Sequence, residues 1–528
     1  MKKTIFISII FLVTLGGCNY LDDYSQSLVV VKTVSDLDEV LLGDVYMSSK
    51  NGVKQLAYGD VGWWLQILDD DINTVAYDNS SSNADFVDDS YSNPLNYNYF
   101  GYTTWQMEVG RSYDGKQLNS DDGLWNDFYH RINICNIILS EIEELEITSD
   151  DDRAAALRIR GEARFMRAYY YFLLANIYAD AYDPDKAEST LGIPVKLTDY
   201  IEHDKDKETQ FERASLSEVY AQIVEDLETS ISYFDQSPQT HSFYRTSGKA
   251  AMLLLSRVYL YMQKWDEARL MADKLLTEGV SLWSYAGDLN ESEALISRNN
   301  PEILFSEGSL NVQNFMRAKI GEFCISQDLY SLYDDTDYRK TKYFVLNENT
   351  DSIALGSKYE RGSTIQSYVS DLYLLRSSEA YLNMAEACAM EGDAYTDEAL
   401  KWLNRFRHYR IANYQDETYD RSTLIDEIRT ERRKEFCLEG QRWFDLRRYA
   451  VNKEFPYNRT IERMYAVFND GGNEMLHNEM YRLEEHDKAY TFAIPKSVLN
   501  FDRGMPDNVR PAREPIAISN PTNPDEDE

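Results

Sequence analysis

The segment from Glu431 to Arg448, ERRKEFCLEGQRWFDLRR, constrains the fold more than any other stretch of the chain. Glu431, Glu435 and Glu439 recur every four residues and so share one face of a helix. Arg432, Arg433, Arg442, Arg447 and Arg448 lie within reach of them, Gly440 ends the helix, and Trp443, Phe444 and Leu446 are placed to pack inward. Glu435, Glu439 and Asp445 can also be imagined as paired catalytic carboxylates. With so many guanidinium groups beside them, the segment reads instead as ion pairs locking one helix to the next, a structural role.

Helical periodicity continues elsewhere. Residues 125–146 set Phe128, Ile132, Cys135, Ile138, Leu139 and Ile142 at three- and four-residue spacing with acids opposite, an amphipathic helix. Asp150 to Asp152 open a longer helix through Ala179, with an apolar face rich in Ala and Tyr. A third covers 215–234, entered at Ser215 or Ser217 and closed before Pro238. Lys249 to Met262 and Trp265 to Thr277 form a pair in which Ala250, Ala251, Ala268 and Ala272 sit where helices cross, while Leu254, Tyr259, Leu260 and Trp265 fill the gaps. That pattern is similar to tetratricopeptide helix pairs. Another pair, 371–391 and 395–411, follows at an irregular interval. The fold class expected is therefore mainly α, a scaffold of tetratricopeptide-like helix pairs with insertions rather than a uniform solenoid. The stretches 69–124, 180–212, 281–370 and 450–510 are long irregular loops, either functional or carrying a few short strands.

Length allows three to four domains of about 150 residues each, or one multi-lobed body. The organisation expected is a signal peptide at 1–17, an N-terminal region at 18–245, a C-terminal region at 246–510, and a disordered acidic tail at 511–528. Ninety Asp and Glu against 54 Lys and Arg give a net charge of −36, which excludes routine nucleic-acid binding and is repelled by an anionic membrane surface. Met1-Lys2-Lys3 followed by apolar Thr4 to Leu15 reads as an export signal, too short to span a bilayer. Leu15-Gly16-Gly17-Cys18 is similar to a bacterial lipobox, whose cysteine is acylated and becomes the mature N-terminus, holding the protein at a membrane by lipid alone. Asp22 and Asp23 resemble the acidic signal that sends lipoproteins of the Bacteroidetes phylum to the outer face of the outer membrane. The other cysteines, Cys135, Cys324, Cys388 and Cys437, are widely spaced, so neither a disulfide framework nor a zinc site is expected.

Catalytic motifs are missing. Six His residues form no HExxH, and there is no GxSxG, Walker A or GxGxxG. Asp69-Asp70-Asp71, Asp88-Asp89 and Asp334-Asp335-Thr336-Asp337 match no EF-hand loop and read as solvated loop charge, so no metal and no cofactor is expected. The 40 Tyr, against 21 Phe and 8 Trp, favour wet ring surfaces. A sugar offers C–H faces to rings and hydroxyls to amides and carboxylates, which directs attention to 93–106. There Asn96, Tyr97, Asn98 and Tyr99 would separate amides from rings if extended, Trp105 follows, and Asp70 with Trp63 and Trp64 lies upstream. A second candidate is 309–317, with Asn311, Asn314 and Phe315 after the strand-like Glu302 to Phe305. Trp283 and Tyr285 read as structural.

Glu431 to Arg448, Ala493-Ile494-Pro495-Lys496-Ser497, Arg160-Gly161-Glu162-Ala163-Arg164-Phe165-Met166-Arg167-Ala168, Arg257-Val258-Tyr259-Leu260 and Arg376-Ser377-Ser378-Glu379-Ala380-Tyr381-Leu382, together with the lipobox, resemble the SusD/RagB family of surface lipoproteins over nearly the whole mature chain. Asp507-Asn508-Val509 departs from the family's usual Gln-Asn-Pro-like ending. The resemblance implies a helical body over a TonB-dependent outer-membrane transporter of the SusC type, binding an oligosaccharide, or in some members a peptide, for import and performing no chemistry. It also implies that loops of the N-terminal and middle parts converge on the ligand. A glycoside hydrolase is the third alternative, for which no carboxylate pair is identifiable.

Overall fold

The long helices form where apolar spacing predicts them, and polar N-caps set the starts of several. The computed structural model describes residues 31–47, 62–74, 95–118, 121–200, 207, 209–239, 243–286, 293–307, 312, 316, 323–347, 352–360, 369–468 and 475–519. In the N-terminal half these include α1 (Val34–Val40), α2 (Leu95–Asn98), α3 (Phe100–Thr103), α4 (Gly123–Glu144), α5 (Asp150–Tyr178), α6 (Leu216–Gln236), α7 (Gly248–Tyr261) and α8 (Trp265–Thr277). The Ser149 hydroxyl caps α5 by accepting from the Asp152 amide, and Ser215 with Glu218 forms a capping box on α6. From α4 to α8 each helix packs on the next in chain order. Gly161 permits the close approach of α5 and α6, because a Cβ there would lie 3.1 Å from the Phe234 ring. The Ser230 hydroxyl donates to the Gly161 carbonyl at 2.7 Å across the same seam.

The C-terminal half continues with α9 (Gln327–Tyr330), α10 (Tyr338–Tyr343), α11 (Ser377–Glu391), α12 (Thr396–Arg407), α13 (Arg421–Phe436), α14 (Arg442–Ala450) and α15 (Lys496–Phe501). Helix α11 packs on α8, α12 and α13, so the two halves share one helical stack. Strands occupy three of the four long stretches. The β1 (Ile72–Thr74), β3 (Phe323–Ile325), β5 (Ser352–Leu355) and β4 (Phe344–Asn347) strands form an antiparallel sheet in that order. A second pair joins β2 (Ile303–Ser306) to β6 (Leu374–Arg376), and a third sheet orders β7 (Ile461–Phe468), β8 (Met475–Leu483) and β9 (Ala517–Ser519). The remaining stretch, 180–212, has turns and an isolated bridge, Leu191 to Ser215, among its described residues.

Two expectations change. The segment 371–391 begins as buried strand β6, because Leu374 and Leu375 pair with β2 before Ser377 starts the helix. The tail expected to be disordered is ordered as far as Ser519: the Ile516 amide donates to the Met480 carbonyl at 2.7 Å, and β9 extends the β7–β8 hairpin. Cys135, Cys324, Cys388 and Cys437 are free and buried, as small apolar side chains.

The charged segment is buried throughout. Five consecutive charged residues, Glu431 to Glu435, sweep the whole circumference of α13 at about 100° per residue, so every side needs partners. Glu435 accepts from Arg376 at 2.9 Å and from Arg339 and Arg410 at 3.0 Å, while Glu302 accepts from Arg410 and Arg376. Glu439 pairs with Arg376 and Lys358, both at 2.8 Å. Burial opposes ionisation of Glu435, yet the Arg410, Arg376 and Arg339 guanidiniums hold its carboxyl well below the usual range. The lock therefore fastens β2, β6, α10 and the residues after α12 to α13, more than one helix to the next. Glu435, Glu439 and Asp445 are all buried against cations, and none faces a cleft where it could meet a substrate.

Asp69, Asp70 and Asp71 belong to the same interior, contrary to their reading as solvated loop charge. Arg442 grips Asp70 with two hydrogen bonds of 2.7 and 2.9 Å, Arg459 donates at 2.6 Å, and Arg433 donates to Asp71 at 2.7 Å. Asp334 and Asp335 are exposed as expected, whereas Asp337 is buried against Arg339 and Lys434. Asp88 and Asp89 lie outside the described residues.

Candidate ligand-binding site

Strand register sets the end of β1 beside the start of β3. Thr74 at the end of β1 pairs with Phe323 at the start of β3, which makes one corner of the sheet. Thr74 also donates through its hydroxyl to the Met464 carbonyl, which sets this corner against β7.

The first segment is helical where extension was expected. Residues 95–98 make the turn α2, so Asn96, Tyr97, Asn98 and Tyr99 do not alternate between two faces. Tyr97 and Asn98 are half-buried at the surface. Tyr99 is buried, its ring edge-on to Trp63 at 4.4 Å. Nothing is described of the Asn96 side chain, and Asn311, Asn314 and Phe315 lie outside the described residues, as does Cys18.

Besides Tyr99, two more predicted ligand residues are interior. Trp105 is fully buried at a positive φ of 55°, its indole N–H donates to the Leu68 carbonyl at 2.8 Å, and Arg463 covers its ring at 4.8 Å. Asp70 is held by three arginines. Neither has a free face for a ligand, because each satisfies its polar group by joining the loop to the core. Trp63 and Trp64 are also core residues: Trp64 stacks at 4.8 Å on both Tyr102 and Phe492. Trp283 and Tyr285 are buried, in keeping with their structural reading.

Rings not singled out in the sequence complete the corner. Tyr113, half-buried, stacks on Tyr465 of β7 at 5.3 Å, and Phe100 meets both edge-on together with Tyr481. The Tyr113 and Tyr481 hydroxyls both donate to Glu479, at 2.9 and 2.7 Å. Burial, then the neighbouring Tyr113, Tyr481 and Tyr97 phenols, push Tyr465 well above its ordinary range. Tyr113 stands beside a predicted segment and was accessible to the same composition argument. Tyr465 was not, since one tyrosine in a strand looks like core.

Glu307, at the end of β2, anchors the approach to the second segment. Its carboxylate accepts from the Met47 amide at 2.7 Å and the Tyr170 hydroxyl at 2.8 Å, and burial pushes its pKa to about 7. A carboxyl raised from its ordinary 4.5 binds its proton more tightly when folded, so stability falls as pH rises from about 4.5 to about 7. Glu307→Gln should remove that slope. Against wild type it should gain an amount of order 3 kcal/mol between pH 4.5 and pH 8, measured by urea unfolding. An unchanged pH profile would show that Glu307 is already ionised at low pH.

Comparison with known proteins places these features in a family. Residues 64–260 match a family described as starch-binding, associating with the outer membrane, and residues 335–510 match the SusD family, so the two matches span most of the chain. A SusD-like protein of Bacteroides ovatus is 23% identical over 489 residues, covering 80% of this chain and 83% of its own. A SusD superfamily protein of Bacteroides thetaiotaomicron superposes with a TM-score of 0.66 at 23% identity, covering 90% of this chain and 100% of that one. A structure described as a putative sugar binding protein from Bacteroides vulgatus gives a TM-score of 0.64 at 23% identity over 90% of this chain and 98% of that one. With its helix pairs, its buried charged segment and both family matches, the chain belongs to the SusD/RagB family.

Proposed function

We propose that the protein is a lipid-anchored, outward-facing outer-membrane protein that captures an oligosaccharide and passes it to a SusC-like TonB-dependent transporter, with no chemistry of its own. The observation that carries this reading is the match of residues 64–260 to a family described as starch-binding and associating with the outer membrane. The corner described above supports it physically. Half-buried Tyr97, Asn98 and Tyr113 offer ring and amide groups beside the points where 75–94 and 317–322 join the sheet. Absence of chemistry is supported by the engagement of the Glu431–Arg448 carboxylates in ion pairs. The anchor would be Cys18.

Isothermal titration of the chain from Asn19 onward against plant and host oligosaccharides and a peptide mixture, with hydrolysis products assayed, tests the binding reading. Saturable binding of one glycan class without products is expected, and it should weaken in Tyr97→Ala. Tyr99 is a poor probe, because removing a ring packed on Trp63 lowers stability by about 3 kcal/mol. Peptide-only binding, or turnover, would replace the proposal. Anchoring is read separately by fractionation: Cys18→Ala should leave the outer-membrane fraction in cells lacking the transporter, and retention there would discard the lipid anchor.

A further inference from the structure

Helix α4 carries two parallel rows of side chains on one face. Trp125 and Tyr129, four residues apart, make a row of rings, and Asn126, His130 and Asn133 make a row of polar groups beside it. Both rows line an open cleft of about 520 Å³ whose opposite wall is Val498 and Phe501 of α15 together with Met505. Small-molecule sites fall in the range of about 300–1,000 Å³.

The rings are held in place by the protein. The Tyr129 hydroxyl donates to the Pro194 carbonyl at 2.7 Å, and the Trp125 ring lies 4.9 Å from both Tyr129 and Tyr178. The charged groups inside the cleft are hydrogen-bonded to neutral neighbours. Lys196 donates to Asn133 Oδ1 at 2.9 Å and to the Thr198 carbonyl. Asp122 accepts from the Ser497 hydroxyl at 2.6 Å, and Asp502 accepts from the Gln210 and Phe211 amides at 2.9 and 2.8 Å. Lys196, Asp122 and Asp502 are thus held by the protein itself, and the two carboxylates against one ammonium disfavour an anionic ligand. Asn126, His130 and the Asn133 Nδ2 donor remain along the rim beside the Tyr129 ring, and Phe501, 58% exposed, lines the same cleft.

We infer that this cleft binds a neutral pyranose unit. A pyranose has a C–H face that suits the Tyr129 and Phe501 rings and a hydroxyl edge that suits a row of amides and an imidazole. An apolar side chain of a protein partner would fill the ring side and leave the polar row unmatched, whereas a saccharide uses both rows. The inference rests on the glycan-binding reading and adds a second contact point to it. This point is separate from the Tyr97 corner: packed rings intervene, running from Trp125 through Tyr178, Phe492 and Trp64 to Tyr102.

Saturation-transfer NMR on the full chain tests it, with methyl β-glucopyranoside, methyl α-mannopyranoside and methyl β-galactopyranoside as saccharide probes and N-acetyl-leucine amide and N-acetyl-tryptophan amide as side-chain probes. At least one glycoside should show transfer to its ring C–H protons. Its affinity should fall by about fivefold or more in Asn126→Ala/His130→Ala and in Phe501→Ala, rim changes whose near-ultraviolet dichroism should match wild type, and should persist in Tyr97→Ala. Glycoside binding that survives both cleft variants would overturn the cleft assignment and leave the glycan-binding function standing. Transfer to the amides alone, lost in the cleft variants, would make the cleft a seat for a protein side chain. If no glycoside shows transfer and the oligosaccharide panel is also silent, the glycan-binding reading fails with it.

Discussion

Glu435→Ala should lower the free energy of unfolding by about 3–5 kcal/mol, the range for removing one partner from a buried ion pair. Arg339, Arg376 and Arg410 all converge on this carboxylate with side chains 0–1% exposed, so its removal leaves three guanidiniums competing for Glu302, Glu431, Glu439 and Asp337. The cost arises from uncompensated buried cations, not from any large intrinsic value of the pair, because desolvation offsets much of the Coulomb attraction. Glu435→Gln distinguishes the two sources. It retains an oxygen for one or two arginines but not the charge, and should fall between wild type and Glu435→Ala in urea midpoint. A loss below about 1 kcal/mol for the alanine variant would show that water or a neighbouring acid replaces Glu435 at little cost.

Asp70→Asn should cost about 3 kcal/mol by the same physics, with a different local consequence. Asp70 ties the segment from the Trp63–Ile67 turn to β1 onto α13 and α14 through Arg433 and Arg442, and onto Arg459. Hydrogen exchange should accelerate around 62–74 before it changes in α5 or α7. The variant should also respond differently to acid. Burial opposes ionisation of Asp70, but the Arg433 and Arg442 charges, the hydrogen bond from Arg442 and the Arg459 charge hold its carboxyl far below the usual range. Its contribution is therefore complete above the unfolded value of about 3.9 and is lost only as pH falls further. Wild type should lose stability more steeply than Asp70→Asn below about pH 4. Parallel acid-unfolding curves would mean that the neighbouring acids carry the titration.

Much of the helical body was readable because its signals are local. The three acids that open α5 and the Ala-rich crossings of α7 and α8 depend on residues within a turn or two of one another. The charged segment was readable as a structural lock for the same reason, through the spacing of Glu431, Glu435 and Glu439. Its partners were not, since Arg376 and Arg339 lie 59 and 96 residues from Glu435, and Asp70 lies 372 residues from Arg442. Nothing within the run Asp69-Asp70-Asp71 distinguishes a solvated acidic loop from one facing buried arginines. The ring-rich segment failed similarly. Tyr99 and Trp105 have the composition of a sugar platform, but distant surfaces, Trp63 and Arg463, decide that they face inward. The α4 cleft was hidden by its helix: Trp125 and Tyr129 look like ordinary amphipathic spacing until α15 arrives from the far end of the chain to form the other wall.

The interior ion pairs also determine what the protein presents to its surroundings. Among the described residues, buried arginines and lysines equal buried aspartates and glutamates, seventeen of each. The formal charges of the interior thus cancel, and the formal net charge of −36 belongs to the exterior and to the residues outside the description. Cations that might have tempered that exterior are sequestered in the core. The protein therefore carries a counter-ion atmosphere that extends farther at low ionic strength, and a sulfated or uronic polysaccharide has to approach through a repulsive field that a neutral chain does not feel.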